Sequence, residues 1–89
     1  PEAHVMTQLL YFAWVREMIG TDSETLALPT NITTVAHLLD WLVTRSHGHA
    51  AALADRSRIR IAVDQQFASA STPLAAPREI AIFPPVTGG

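Results

Sequence analysis

The last seven residues, FPPVTGG, hold the one group in this sequence to which we assign chemistry. Pro84 and Pro85 lack backbone donors and favour an extended path, so they end a strand after Phe83 and project the following residues away from a domain. Gly88 and Gly89 make the tip narrow and let a surrounding channel set its torsions. The α-carboxylate of Gly89 is a poor electrophile that needs activation, usually as an acyl-adenylate. Once activated, it would accept sulfur or an amine.

The other residues that could do chemistry form no recognised site. Serine, histidine and aspartate occur without a nucleophile-elbow motif, and the four glycines include no run that could cradle a phosphate. The four histidines match no zinc-ligand spacing, and we expect solvated or capping side chains: His4, His37, His47 and His49. The sequence therefore predicts no metal site, no cofactor bound by this chain and no catalytic side chain of its own.

Arginine and aromatic side chains are candidates for partner contacts. Arg56, Arg58 and Arg60 have the spacing of one strand face, for which a solvated face is the simplest interpretation and partner contact the alternative. The aromatic residues near the N-terminus are expected in the core and not on a binding platform: Tyr11, Phe12 and Trp14.

Composition indicates one small globular domain of 89 residues, 48% hydrophobic and 16% charged. The net charge of -2 provides no basic footprint for nucleic acid. The absence of cysteine excludes disulfides, thiolate zinc sites and a cysteine nucleophile, and it suits a reducing compartment. No apolar run is long enough to span a membrane and no signal-like segment opens the chain, so we expect a cytoplasmic protein with no membrane partner.

Hydrophobic periodicity predicts two strands and a short helix in the N-terminal part of the chain. Residues 5–12 are apolar at both parities, which indicates a central strand buried on both faces. Residues 13–19 are typical of a short helix that ends at Gly20 in a left-handed C-cap. Residues 24–28 can form a second strand, which Pro29 ends because proline has no backbone donor.

The clearest helix follows this second strand. It is predicted to begin at Thr33 or Thr34 as its N-cap and to end at Gly48, with a further helical turn over residues 50–54. Its apolar residues recur at helical spacing and must face a sheet: Val35, Leu38, Leu39, Leu42 and Val43.

The C-terminal part of the chain is predicted to contain three strands. Residues 58–63 alternate strictly between apolar and other side chains, as in a half-buried strand. A turn at residues 64–65 leads to a brief edge strand at 66–68. The polar, proline-marked residues 69–77 form a loop before a last alternating strand at 79–83.

The order of these elements indicates an α+β fold with a mixed sheet of four to five strands and one main helix across it. First and last strands that neighbour each other at the sheet centre would give the β-grasp arrangement of ubiquitin-like proteins. This pairing is recognised as a pattern, since periodicity defines elements and not their partners. We treat residues 1–89 as a single domain and residues 84–89 as an extended tail.

Four segments of the sequence resemble the sulfur-carrier subunits of molybdopterin synthase, a family of ubiquitin-like proteins. They are LLYFAWVREMIG, TTVAHLL, RIAVDQQF and IFPPVTGG. The likeness extends over nearly the whole chain, from about Met6 to Gly89. A terminal Gly-Gly alone is shared by several carriers, whereas PPV-x-GG after a β-grasp pattern is more specific.

The resemblance implies a role for each residue of the tail. Gly89 would be adenylated by a ubiquitin-activating-like enzyme that uses ATP, and would then be converted to a thiocarboxylate by a sulfur donor enzyme. Gly88 would provide access to the terminal carbonyl. Phe83, at the root of the tail, would contact the partner together with the four residues that follow it: Pro84, Pro85, Val86 and Thr87.

The same resemblance implies a large-subunit partner that supplies the catalytic side chains. In its active site the sulfur would pass to cyclic pyranopterin monophosphate to build molybdopterin. Two small subunits would sit at opposite ends of a large-subunit dimer, giving a heterotetramer. The chain itself would then be a non-catalytic subunit of a sulfurtransferase.

Two departures from the family pattern leave loop contacts and partner choice open. Asp64 stands where the family commonly has asparagine, and residues 75–79 replace a Lys-Asp-Gly-Asp-like turn. Two other functions also remain open. The same Gly-Gly chemistry could serve thiazole, amino-acid or tRNA thiolation, and a β-grasp interaction domain could have an inert terminus.

Overall fold

The chain folds into strands and helices in the order that hydrophobic periodicity predicts, as a computed structural model of residues 6–85 shows. In chain order, the strands are β1 (Met6–Tyr11), β2 (Ser23–Ala27), β3 (Arg60–Val63), β4 (Gln66–Ala68) and β5 (Glu79–Phe83). The helices are α1 (Ala13–Ile19), α2 (Val35–Leu42) and α3 (His47–Leu53). A 3₁₀ turn at Arg56–Arg58 leads into β3.

The five strands form one mixed sheet in the order β2-β1-β5-β3-β4. Strands β1 and β5 pair in parallel, while the β1–β2, β3–β5 and β3–β4 pairs are antiparallel. The first and last strands are therefore neighbours inside the sheet. This arrangement confirms the β-grasp prediction and places β5 between β1 and β3.

One face of the sheet carries the hydrophobic core. Leu9 and Tyr11 of β1 are buried there with Ile80 and Ile82 of β5, because alternate strand residues point to the same face. The apolar stripe of α2 covers them, and full burial of one such side chain contributes about 1.5–3 kcal/mol. The buried residues of α2 are as predicted: Val35, Leu38, Leu39 and Leu42.

The other face, here called the open face, has no layer over it within residues 6–85. The prediction that β1 is buried on both faces is therefore wrong, although its interior position in the sheet is confirmed. Met6 is 51% exposed and Gln8 is exposed as well, whereas Thr7 and Leu9 are buried. The apolar side chains of β1 that point to the open face contact solvent because no helix packs against them.

Helix α1 ends as predicted, with Gly20 in the left-handed conformation at φ 96°. Helix α2 begins as predicted too, because the Thr34 hydroxyl accepts a hydrogen bond from the backbone N–H of His37. Its predicted end at Gly48 is wrong. The helix ends at Leu42, and the Thr44 hydroxyl donates to the Trp41 carbonyl, which competes with helical hydrogen bonding.

Gly48 lies inside α3, which Ser46 begins by accepting a hydrogen bond from the His49 N–H. The glycine is required for packing. A Cβ at Gly48 would overlap the backbone carbonyl oxygen of Met18, so a larger residue would push α3 away from α1. Gly48 therefore serves a close approach between helices instead of a helix C-cap.

A buried polar network joins β1, β2 and α3. The Glu24 carboxylate accepts hydrogen bonds from the Tyr11 hydroxyl and from His49 Nε2, both at 2.7 Å. The Arg45 guanidinium donates to its other oxygen at 3.2 Å, and Ser46 Oγ lies 2.7 Å from His49 Nδ1. His49 is only 7% exposed, so the expectation of a solvated or capping histidine is wrong at this position.

The other histidines agree with the expectation or lie outside the described residues. His37 and His47 are exposed, and His37 Nδ1 accepts a hydrogen bond from the Thr33 N–H. His4 is outside residues 6–85. The signal that distinguishes His49 is its place three residues after Ser46, which makes it part of a capped helix start.

We predict that Glu24 makes folding stability sensitive to acid. Burial alone would raise the pKa of Glu24, but hydrogen bonds from Tyr11 and His49 and the charge of Arg45 outweigh burial and lower it. A lowered pKa adds stability above the unfolded-state value of about 4.3 that is lost as pH falls through the folded value. Glu24→Gln should therefore cost about 1.5–3 kcal/mol at pH 7, and this difference should shrink below about pH 4.

Urea denaturation from pH 7 to pH 3, followed by tryptophan fluorescence, measures this difference. Glu17→Gln changes an exposed glutamate of α1 and is the matched control. Equal pH dependence for wild type and Glu24→Gln would contradict the prediction.

Candidate functional site

Strand β5 carries the predicted tail, and its own position is fixed on both sides. Residues Gln8 to Tyr11 pair with one edge of β5, and Arg60 to Val63 pair with the other. Phe83 ends the strand, Pro84 and Pro85 follow it, and all three are half-buried, so the root of the tail is packed against the domain. The remaining predicted site residues lie outside the described part of the chain, and their roles stay predictions: Val86, Thr87, Gly88 and Gly89.

Asp64 fixes the other end of β5. Its carboxylate oxygen Oδ1 accepts hydrogen bonds from the backbone N–H groups of Arg78 at 2.9 Å and Glu79 at 3.0 Å. The Asp64 N–H donates to the Glu79 carbonyl at 2.8 Å. Asp64 and Gln65 have φ values of 48° and 72°, the left-handed pair that suits a two-residue hairpin between β3 and β4. The predicted turn is thus confirmed.

This geometry explains one departure from the family pattern. An asparagine offers the same side-chain acceptor as Asp64 and tolerates the same left-handed backbone. In the other departure, Ala76 adopts a positive φ of 48°, a conformation that glycine adopts without steric cost. Both departures therefore act on the loop that precedes β5.

An aromatic surface lies on the open face at the end of β5. Phe67 is 84% exposed, and its ring centroid is 6.1 Å from that of Phe83. The small side chain of Ala62, which pairs with Phe67 and with Ala81, leaves space for this contact. Phe12 is 46% exposed and follows Tyr11 beside the same strand end. We call Phe12, Phe67 and Phe83 the aromatic face.

The aromatic face corrects one sequence prediction. Tyr11 is buried and Trp14 packs against the core as expected, but Phe12 is not a core residue. Strand alternation gives the core position to Tyr11 and directs Phe12 to the opposite side. The Phe12 N–H donates to the Ile82 carbonyl at 3.2 Å, which holds this extended conformation.

The three arginines do not share one strand face, so that prediction is wrong. Only Arg60 belongs to β3, where it is exposed and pairs with Phe83. Arg56 and Arg58 lie in the 3₁₀ turn, which Asp55 caps by accepting from the Ser57 N–H. Arg56 forms an ion pair with Asp40.

Arg58 makes a different contact from Arg56. Its guanidinium carbon lies 5.0 Å from the centroid of the Trp14 ring, within cation–π range. This contact joins the start of α1 to the turn before β3.

The described side chains offer little other chemistry. Within residues 6–85, no group of three or more histidine, cysteine, aspartate or glutamate side chains could hold a metal ion. The acceptors and donors of the Glu24 network are satisfied by one another, so this network is structural. Across these same residues, the helices are all too short to span the hydrocarbon core of a bilayer.

Sequence comparison gives relatives that match over nearly the full length. The profile of the ThiS family matches residues 9–89. The chain is 40% identical to the molybdopterin synthase sulfur carrier subunit of Escherichia coli strain K12, over 94% of this chain and 100% of the relative. It is 32% identical to the protein of the same name from Haemophilus influenzae, with the same coverage.

Solved structures with the same fold include carriers and modifiers. A Pyrococcus furiosus protein named as molybdopterin converting factor subunit 1 superposes with a TM-score of 0.73 at 27% identity, over 92% of this chain and 99% of that one. SAMP1 from Haloferax volcanii gives a TM-score of 0.68 at 28% identity, over 94% of this chain and 99% of that one.

We predict that the Asp64 side chain stabilises the start of β5. Asp64→Ala removes the acceptor of two backbone donors and leaves a left-handed alanine, so it should cost about 1–2 kcal/mol. Asp64→Asn keeps the side-chain acceptor and tolerates the left-handed backbone, so it should change stability by less than about 0.5 kcal/mol. Hydrogen exchange of the Arg78 and Glu79 amides, with urea denaturation, measures the effect. Equal losses in the two variants would argue against this role.

Proposed function

We propose, from the premise that this chain belongs to the ThiS family, that it is the sulfur carrier subunit of a molybdopterin synthase. The observation that carries the proposal is the 40% identity to the Escherichia coli sulfur carrier subunit over the full length of that relative. The fold supports it, because an interior strand that is bonded on both edges ends at the root of the tail. In this proposal Gly89 is the last residue of the working protein.

The chemistry takes place at the Gly89 carboxylate. One carboxylate oxygen attacks the α-phosphorus of ATP in an activating enzyme, forming an acyl-adenylate and releasing pyrophosphate. A persulfide sulfur from a donor enzyme then attacks the carbonyl carbon, and AMP leaves. Reduction of the resulting acyl disulfide by a thiol releases the thiocarboxylate. Gly89 suits these steps because it has no Cβ to hinder attack.

The thiocarboxylate next delivers its sulfur in the active site of the large subunit. The sulfur attacks cyclic pyranopterin monophosphate, and water then cleaves the acyl–sulfur bond to return the carboxylate. Residues 84–89 span at most about 20 Å when extended, which suffices to enter an active-site channel. Catalytic side chains and the heterotetrameric assembly are contributed by the partner. The described residues of this chain position the tail.

The aromatic face is the surface that we assign to the large subunit. It includes Phe83 at the root of the tail, so a partner that encloses the tail must come close to Phe83 and its neighbours. Phe67 is a large apolar side chain that is 84% exposed, and burying it in a partner would contribute to binding.

A second function uses the same activation. SAMP1 of Haloferax volcanii is described as a small archaeal modifier protein, and its fold matches with a TM-score of 0.68. An activated Gly89 that accepts a protein amine would form an amide instead of a thiocarboxylate. Sulfur delivery to thiazole, amino-acid or tRNA thiolation would retain the thiocarboxylate and change only the acceptor.

We predict that Gly89 gains one sulfur in place of one oxygen when the chain is incubated with its cognate activating enzyme, ATP and a sulfur donor. Mass spectrometry of the C-terminal peptide separates this change from oxidation of Met6 or Met18, which adds nearly the same mass. A chain that lacks Gly88 and Gly89 should not be modified, and its melting temperature should stay nearly unchanged. A chain amidated at Gly89 is the matched control for a blocked carboxylate.

Adding large subunit and cyclic pyranopterin monophosphate to the thiocarboxylated chain should then produce molybdopterin. An unmodified Gly89 with an active cognate enzyme would contradict the carrier proposal. Amide products with other proteins, or a product with a thiazole synthase instead, would favour the alternatives.

We also predict that Phe67→Ser weakens binding to the large subunit by about 10-fold or more, because it removes an aromatic anchor. Folding stability should change little, since the side chain is 84% exposed. Isothermal titration calorimetry measures the binding. Met18→Ser, a change at a 44% exposed residue of α1, is the matched control. Equal affinities for the Phe67→Ser and wild-type chains would exclude Phe67 from the interface.

A further inference from the structure

The chain that follows β5 leaves the sheet between two helical elements. On one side, β1 runs parallel to β5 and continues directly into α1. On the other side, β3 runs antiparallel and is entered from the 3₁₀ turn at Arg56–Arg58. The start of α1 and the end of the turn therefore lie at the same edge of the sheet as the end of β5. Helix α1 is in contact with β5.

Trp14 and Arg58 meet across this exit. Trp14 is the second residue of α1, and Arg58 is the last residue of the turn. The guanidinium carbon of Arg58 lies 5.0 Å from the centroid of the Trp14 ring. Trp14 also packs against the hydrophobic core, so the stacked pair lies on the core side of the sheet.

The registers of the two ladders place the tail root at the same end of the sheet as this pair. Phe83 is opposite Arg60, which lies two residues after Arg58, and Ile82 is beside Tyr11, which lies three residues before Trp14. Pro84 and Pro85 therefore follow β5 between the segments that carry Trp14 and Arg58. Pro84 and Pro85 are both half-buried, which agrees with a neighbour on one side.

We infer that the stacked Trp14–Arg58 pair is a positioning element that closes the core side of the exit after β5 and directs Pro84 and Pro85 away from the core side. In this role, the stacked indole and guanidinium groups lie against the core side of Pro84 and Pro85. With that side closed, Pro84 and Pro85 are held towards the side that carries Phe12, Phe67 and Phe83. Trp14 and Arg58 touch neither substrate nor the reacting carboxylate in this role. They act indirectly, because they set the direction in which Pro84 and Pro85 leave the sheet.

A strained residue supports this role. Ala13 has a φ of 53°, a left-handed conformation that a side chain with a Cβ adopts at a cost. This conformation turns the chain from β1 into α1 within one residue, because Tyr11 still belongs to the strand and Phe12 still bonds to Ile82. The turn brings Trp14 next to the sheet edge.

The neighbouring arginine shows that the pairing is specific. Arg56 belongs to the same turn, yet its guanidinium binds Asp40 of α2. Arg60 donates to the carbonyls of Ile59 at 2.8 Å and Ser57 at 3.2 Å. Of these three arginines, Arg58 alone stacks on Trp14. Arg56 is therefore a matched control for the loss of a guanidinium from this turn.

Nuclear magnetic resonance of the isolated, full-length chain tests the inference. We expect nuclear Overhauser contacts between the indole protons of Trp14 and the ring protons of Pro84 or Pro85. Arg58→Ala should reduce their intensity at least two-fold, whereas Arg56→Ala should leave them unchanged. Arg58→Lys should retain part of the intensity, because an ammonium group can also stack on an indole.

Three results would overturn the inference. They are the absence of these contacts in the wild-type chain, equal intensities in Arg58→Ala, and an equal loss in Arg56→Ala. Amide spectra of the core strands verify that each variant is folded, and Arg58 is exposed, so its removal leaves the core intact. The inference deepens the proposed function because it concerns presentation of the same tail. The test needs neither partner nor sulfur, so its failure is distinct from failure of the carrier proposal.

Discussion

The parallel pairing of β1 with β5 is the constraint on which the rest of this structure depends. Two parallel neighbours cannot be joined by a tight turn, so everything between them must form a crossover. Here residues 12–78 make that crossover, and they include the helices that cover one face of the sheet. The pairing also places the ends of both strands at the same edge. The tail root, the start of α1 and the aromatic face are close together for this reason.

The same constraint separates stability from function. The core face holds the apolar side chains and the Glu24 network, in which one carboxylate joins Tyr11, His49 and Arg45. The open face at the end of β5 holds Phe12 and Phe67, which gain little from folding because they stay exposed. Substitutions on this face can therefore change the binding of a partner with little effect on the stability of the fold.

Much of this organisation could be predicted from the sequence, and the misses have specific causes. Residues 79–83 were predicted as the last strand and form it, because alternation ends sharply at a proline pair. The position of Gly48 predicts a helix end, because its close contact with Met18 leaves no signal in the local sequence. The burial of His49 has a similar cause, because its partner Glu24 lies 25 residues away in the sequence. The exposure of Phe12 instead follows from alternation along β1, which gives the core position to Tyr11.

The pairing of β5 on both edges determines the first residue at which a partner can redirect the chain. The strand is bonded to β1 and β3 along its length, and the Asp64 side chain holds its first residues. Shifting Ile82 would therefore break two ladders at once, and Phe83 is held by its pairing with Arg60. Pro84 has no N–H to extend either ladder, so it is the first residue that a partner can redirect at low cost. In the proposed complex, a partner that binds the tail must therefore approach the domain itself, and the aromatic face is the apolar surface that we assign to this contact.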